Sequence, residues 1–355
     1  MKLNLQKSFF DYTERELLTY GAISLRSLRY PSGVEAIKVF AKRLSFVFTP
    51  FKGQQIWHLA VDGREISMQT GITEPQSSMT YLENYGGFMY HCGIISFGVP
   101  DAIHPQHGEI PNAEYSSAYV ECGEDGQGRY VILGGSFEHN TAFIRHYRFS
   151  PTLKFYEDGT VINIGVTIDN LRAYPLEYMY LCHLNFRPFE GARLLTTARR
   201  DPEHFRIYKT DQNSELVNYI ARLDEDITLS ETVDKASQCY DPELCFGITH
   251  DSDESGRAYT LQYTPDGACY VSHPTDVLPY AIRWISRTQN EDSMGMVLPC
   301  TGEHLGYEHA RKMGQIKTLG ANSTLSFTIE AGYLDSKDAD IVKEKIEAIN
   351  SRGAN

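Results

Sequence analysis

A chain of 355 residues with 41% hydrophobic and 12% aromatic content can bury a large core, as one β domain or as two smaller ones. Its 33 Lys and Arg are outnumbered by 46 Asp and Glu, and a formal charge of −13 repels phosphate backbones and leaves no basic stripe for nucleic acid. Seven scattered cysteines (Cys92, Cys122, Cys182, Cys239, Cys245, Cys269 and Cys300) lack CxxC or zinc-finger spacing and read as reduced thiols of a cytoplasmic protein.

The N-terminus MKLNLQKSFFDYTERELL has no apolar stretch that would make a signal peptide, and no segment approaches the ~20 apolar residues of a membrane span. Residues 12–19 are expected to form a short helix. From there on, strand signals dominate. Runs rich in β-branched and aromatic residues occur at 43–51 (RLSFVFTPF), 130–137 (YVILGGSF), 143–150 (FIRHYRFS) and 160–168 (TVINIGVTI). Others follow at 177–186 (EYMYLCHLNF), 259–263 (YTLQY) and 325–334 (LSFTIEAGYL). Turn chemistry punctuates them at Val61-Asp62-Gly63, Glu157-Asp158-Gly159 and Pro265-Asp266-Gly267. The segment 336–349 carries Ile341, Val342, Ile346 and Ile349 on a near-3.6 stripe and predicts a packing helix. With no repeat, low-complexity tract or linker, residues 1–355 read as a single all-β domain, a large sandwich with short terminal helices.

Candidate chemistry centres on histidines. In DAIHPQHGEIPN, Pro105 and Pro111 restrain the backbone, and Gly108 after His107 permits close approach, so His107 is either an inward-pointing loop residue or a solvated one. On the strand 177–186, alternation puts Met179, Leu181, His183 and Asn185 on one face and Tyr180, Cys182, Leu184 and Phe186 on the other. A His and an Asn on one apolar face need partners, either as a hydrogen-bonded core pair or as a site. Asp101, His104 and His107 offer metal-ligand types, but Pro105 argues against the helix that would cluster them, and no metal is expected. Cys300, near Glu303 and His304, could pair with a histidine as a nucleophile or be a small pocket-lining or core residue. The double glycines 86–87 and 134–135 lack what a phosphate loop requires after them.

In order and spacing, GGFMYHCGI with the later His107-Gly108, DNLRAYPLEYMYLCHLNFRPF, and MGQIKTLGANSTLSFTIEAGYL resemble the aldose 1-epimerase (galactose mutarotase) superfamily, more closely its DUF4432 branch, over positions 20–335. The resemblance implies a galactose mutarotase-like β-supersandwich holding a free sugar in a groove, without organic cofactor or metal. It implies that His183 is the acid that protonates the ring oxygen and that His107 binds the sugar and supports the charge change. Asn185, Arg283, Trp284, Gln54 and His104 become expected substrate contacts. The family's base, a Glu in a Gly-x-Glu-Pro-like strand, is matched here by Leu298 in Gly295-Met296-Val297-Leu298-Pro299, and leucine accepts no proton. Glu303 is the first substitute to consider, with Glu109 or Asp101 across the groove as others. The expectation is a mutarotase or related sugar epimerase, monomeric or homodimeric. Its rivals are a sugar-binding or sensor protein and a lyase or isomerase on a modified sugar.

Overall fold

The computed structural model describes residues 1–208, 214–236, 241 and 243–352. Two large antiparallel sheets dominate them. The first runs, in spatial order, through Lys2–Asn4, Ser117–Asp125, Gly128–Thr141, Arg145–Tyr156, Val161–Asn170, Thr324–Asp335, Gly267–Pro274, Arg257–Thr264 and Arg193–Thr196. The main path of the second runs through Phe205–Tyr208, Leu244–Thr249, Tyr280–Arg287, Asp292–Cys300, Leu176–Leu184, Met89–Ile94, Ile56–Val61 and the N-terminal strands back to Arg15–Tyr20. The mainly-β class and the large antiparallel sandwich expected from the sequence are the ones observed.

Alternation explains the sandwich. Along Val161–Asn170 the residues Ile162, Ile164, Val166 and Ile168 are buried and their neighbours half-exposed, so one face joins the core and the other meets solvent. The sheets interlock edge to face at Phe46–Phe155, with centroids 5.3 Å apart, and at Tyr180–Phe327, also 5.3 Å. Full burial of each such ring stabilises by roughly 1.5–3 kcal/mol. One hydrophobic cluster runs from Leu5 to Tyr333 and draws on both sheets.

The turns behave as their residues dictate. Asp62 and Gly63 both have positive φ (50° and 78°) between paired Val61 and Arg64, a two-residue hairpin of the twist-compatible kind. Pro265-Asp266 joins Thr264 to its partner Gly267. The C-terminal stripe forms the helix Ser336–Arg352, which buries Ala339, Ile346 and Ile349 against Tyr259, Leu261, Ala268 and Tyr270. Ile341 points away and stays exposed, whereas Ala339 completes the 3–4 spacing with Val342.

The expected helix at 12–19 is a strand, Arg15–Tyr20. Tyr20 pairs with Ile23 across Gly21-Ala22, and Gly21 at φ 60° supplies the left-handed turn that folds the segment back as an edge hairpin. The helices Ser214–Glu225 and Tyr307–Lys312 were not foreseen. The six described cysteines other than Cys239 are free and buried, while Cys239 lies outside the described residues. Among the described residues no helix is long and apolar enough to cross a membrane.

Candidate functional site

Leu176–Leu184 is buried on both faces, which is why it reads as a near-continuous apolar run. Its Tyr180 side packs into the sandwich, and its opposite side carries Leu181 and His183 to a cavity of about 150 Å³. Neighbouring strands complete the floor with Ile282 and Trp284 from Tyr280–Arg287, Leu298 from Asp292–Cys300 and Cys245 from Leu244–Thr249. Loops supply the walls, with Tyr81 and Tyr85 from one side, Gly98 to Pro100 with Gln106 and His107 from another, and Glu243 and His304 closing the rim. Among the described residues, no Lys or Arg lines it. A wider, open trough of about 770 Å³ lies on the outer face of the first sheet and contains no histidine.

Two glycines make the loop geometry possible. Gly98, at φ 87°, comes so close to the chain that a Cβ there would sit 1.9 Å from the His304 carbonyl oxygen. Gly108, at φ 85°, would place one 2.2 Å from the Ser96 carbonyl oxygen. The backbone is stitched across this approach, since Val99 N–H donates to His304 O at 2.9 Å and His107 N–H to Gly98 O at 3.1 Å. His107 and His304, far apart in sequence, are thereby held on one cavity.

The aromatic groups pack around His183. Its ring lies 5.3 Å from His107, 5.5 Å from Tyr85, 5.6 Å from Trp284 and 6.3 Å from Tyr81, centroid to centroid. Asn185 does not line the cavity but stands behind His183, Oδ1 facing Nδ1 at 2.8 Å, and its own Nδ2 donates to Gly87 O at 3.0 Å. Tyr85 donates its hydroxyl to the same Asn185 Oδ1 at 3.0 Å. Burial lowers the His183 pKa to about 4, partly opposed by the Asn185 hydrogen bond. Burial also lowers His304 to about 4, and it holds His107 well below its ordinary value with help from His183 and His304. Nδ1 of His107 and Nδ1 of His304 are buried without a hydrogen-bond partner.

Four of the residues expected at the site lie elsewhere. Arg283 turns to the opposite side of its strand from Ile282 and Trp284, fully buried, donating to Met296 O and Ser230 O and lying over the Phe205 ring. Strand alternation forbids Arg283 and Trp284 from sharing a face. Gln54 is buried with Nε2 donating to Pro50 O, and Gln55 is consumed by Pro111, Asn112 and Trp57. His104 pairs with Asp101 at 2.7 Å and stacks on Tyr307, away from the cavity, so Asp101, His104 and His107 do not converge as ligands.

Glu303 is the fourth. Only 3% exposed, its carboxylate accepts from Tyr208, from His309 Nε2 at 2.7 Å and from Gln315 Nε2 at 3.0 Å, and it pairs with Arg206 at 2.8 Å. Burial alone would raise its pKa, but these partners hold it at about 2. Such a group is a poor proton acceptor, and it does not line the cavity. Glu109 is likewise occupied, accepting from the Ile94 and Ile95 amides and from the Tyr147 hydroxyl. The Cys300 thiol contacts Gly302 O, and burial pushes its pKa far up, as expected of a core residue.

Leu298 lines the cavity, with its side chain packed over the α-carbon of Gly295. Ile282 pairs with Leu298 but Trp284 pairs with Gly295, so the Leu298 strand carries one extra residue, a bulge that resets which side chains face the cavity. Sequence reading missed Tyr81, Tyr85 and Glu243, and it considered His304 only as a partner for Cys300, not as part of this cavity. Glu243 accepts from Trp284 Nε1 at 2.6 Å and is the one carboxylate on the lining among the described residues. Its only local signal was a charge immediately before an apolar run.

A candidate aldose 1-epimerase of Klebsiella pneumoniae superposes with a TM-score of 0.83 at 18% identity, over 99% of this chain and 96% of that one. A galactose mutarotase-like protein of Clostridium acetobutylicum gives 0.61 at 13% identity, over 89% and 100%. A candidate aldose 1-epimerase of Escherichia coli gives 0.52 at 12% identity, over 91% and 99%. At such identities the likeness is one of fold. No curated protein matches in sequence. The sequence family described as a domain of unknown function, DUF4432, matches residues 31–332, and the chain belongs to it.

Proposed function

We propose that the protein is a mutarotase-type isomerase that interconverts the anomers of a small free sugar in the aromatic cavity, with His183 as the proton-transfer group. The observation that carries this reading is His183, its Nδ1 tied to Asn185, facing a cavity walled by Tyr81, Tyr85 and Trp284. Aromatic faces suit the C–H faces of a sugar ring, and the neighbouring phenols, imidazoles and carboxylate suit its hydroxyls. A cavity of about 150 Å³ is small beside the ~300–1,000 Å³ of drug-sized sites, so it matches one sugar unit. A lining without Lys or Arg among the described residues favours a sugar lacking phosphate. In this reading His107 binds the sugar and supports the charge change, and Glu243 accepts from a sugar hydroxyl.

Saturation-exchange NMR between α and β anomers, over a panel of neutral aldoses and ketoses in deuterated solvent, tests the reading. The wild type is expected to accelerate exchange and His183→Ala to lose ~10²- to 10⁴-fold of it. Unchanged turnover in the variant removes His183 from the mechanism. Leu298 favours a second reading, a protein that binds sugar without turning it over, which binding with no acceleration would support. Deuterium entering a carbon-bound position would instead indicate lyase or isomerase chemistry.

A further inference from the structure

Resting on the mutarotase reading, we infer that His183 is a proton acceptor rather than the resting acid. Its Nε2 alone carries the proton from the anomeric hydroxyl to the ring oxygen, which removes the need for a second carboxylate.

The hydrogen-bond network fixes the tautomer. Asn185 Nδ2 donates to Gly87 O, so Asn185 Oδ1 is the atom turned toward His183, and an amide oxygen only accepts. His183 Nδ1 therefore carries the hydrogen, and in a neutral imidazole Nε2 then holds the free lone pair. The contact to Nε2 is a long 3.4 Å from the Tyr85 hydroxyl, whose hydrogen is already directed to Asn185. Burial keeps the ring neutral, with a pKa of about 4. At neutral pH the ring therefore rests unprotonated, with no proton to give as an acid and with Nε2 open to accept one.

The surroundings do not reverse this. Among the described residues, the titratable groups facing His183 across the cavity are Tyr81, Tyr85, His107, Glu243, Cys245 and His304. Burial raises the pKa of both phenols and of the thiol and lowers that of both imidazoles, so these five stay uncharged near neutrality. The Glu243 carboxylate is engaged by the Trp284 indole.

The step balances without a co-reactant. Nε2 takes the O1 proton, leaving imidazolium and a hemiacetal oxyanion; O1 closes a double bond to C1 while the C1–O5 bond breaks and its electron pair goes to O5. The imidazolium then returns the same proton to O5. Because O1 and O5 share C1, one nitrogen can serve both. Rotation about C1–C2 and the reverse sequence give the other anomer. Asn185 acts here as a positioning residue that holds Nδ1–H through both protonation states.

The test is the pH dependence of enzymatic exchange between pH 5 and 9, background subtracted, on any sugar of the panel that the wild type turns over. The relay predicts a plateau through this range, whereas a resting-acid role predicts about a tenfold loss per pH unit and would overturn the proposal. Asn185→Asp, which places a carboxylate behind Nδ1, is expected to bring an acid limb up into the measured range, a shift that mere loosening of the ring would not produce. His183→Ala is expected to regain activity with added imidazole in proportion to its free base. Glu243→Gln is expected to raise KM with kcat within tenfold; a loss of 100-fold or more in kcat would make Glu243 the base and overturn the relay while leaving the mutarotase reading intact. No acceleration of any sugar by the wild type would overturn both.

Discussion

Trp284 donates its indole N–H to the carboxylate of Glu243 at 2.6 Å, joining an inward residue of one strand to the residue just before its neighbour, Leu244–Thr249. The contact aims the cavity's carboxylate and fixes an aromatic wall in one stroke. A hydrogen bond to a charged group is worth about 1.5–3 kcal/mol. Trp284→Phe keeps a ring and loses the donor, so it is expected to raise KM by roughly tenfold or more with a smaller change in kcat, measured by anomer exchange at varied sugar concentration.

Buried neutral histidines predict acid sensitivity. His183 is lowered by burial to about 4 from an ordinary 6.5, and His91 and His273 are each lowered by burial to about 3. As pH falls below about 6.5 the unfolded chain binds protons that the folded chain refuses, so stability is fully present above that value and is lost progressively as pH drops toward the folded pKa values. Tm is expected to fall steadily between pH 6.5 and 4. Replacing His91, whose Nδ1 meets Tyr180 in the sandwich, with Gln should flatten part of that slope.

Glu303 acts in the same pH direction but in a lower window. Its folded pKa of about 2 lies below the ordinary 4.5, so its contribution is present above about 4.5 and lost as pH falls toward 2. The contribution is at most on the order of 3 kcal/mol, less whatever solvent screens from the partly exposed Arg206. Glu303→Gln is expected to lower the chemical-denaturation midpoint at pH 7 and to narrow the difference from wild type by pH 3.

Gly98→Ala forces a methyl against the His304 carbonyl oxygen at a left-handed φ. Strain plus a severe backbone clash is expected to cost several kcal/mol, read as a lowered Tm, and to abolish exchange by separating the loops that bear His107 and His304. A wild-type Tm and rate would show that the approach is not needed.

Much of the fold was legible because strand alternation, turn chemistry and helical stripes are local. The run at 160–168 and the Pro-Asp-Gly turn at 265–267 carry their structure in adjacent residues, and so does the helix at 336–349. Residues 12–19 were misread because a short edge strand has little alternation of its own and depends on the Gly21 turn and a partner. The same strand logic put His183 with Asn185 on one face and left the Leu298 substitution in plain view.

Which distant groups meet was not legible. Glu303 and Glu243 are both acidic residues near apolar runs, but hydrogen bonds and charge from Tyr208, His309, Gln315 and Arg206 enclose the first, while the second reaches the cavity beside Trp284. Arg283 looked like a sugar ligand and faces the other way; Tyr81 and Tyr85 looked like background and form walls, and His304, notable in sequence only beside Cys300, closes the rim. Local patterns specify elements and their inward faces because each residue's direction follows from its immediate backbone. Cavity membership, tautomer and charge state come from contacts made across long sequence separations, and those exist only once the sheets and loops have packed.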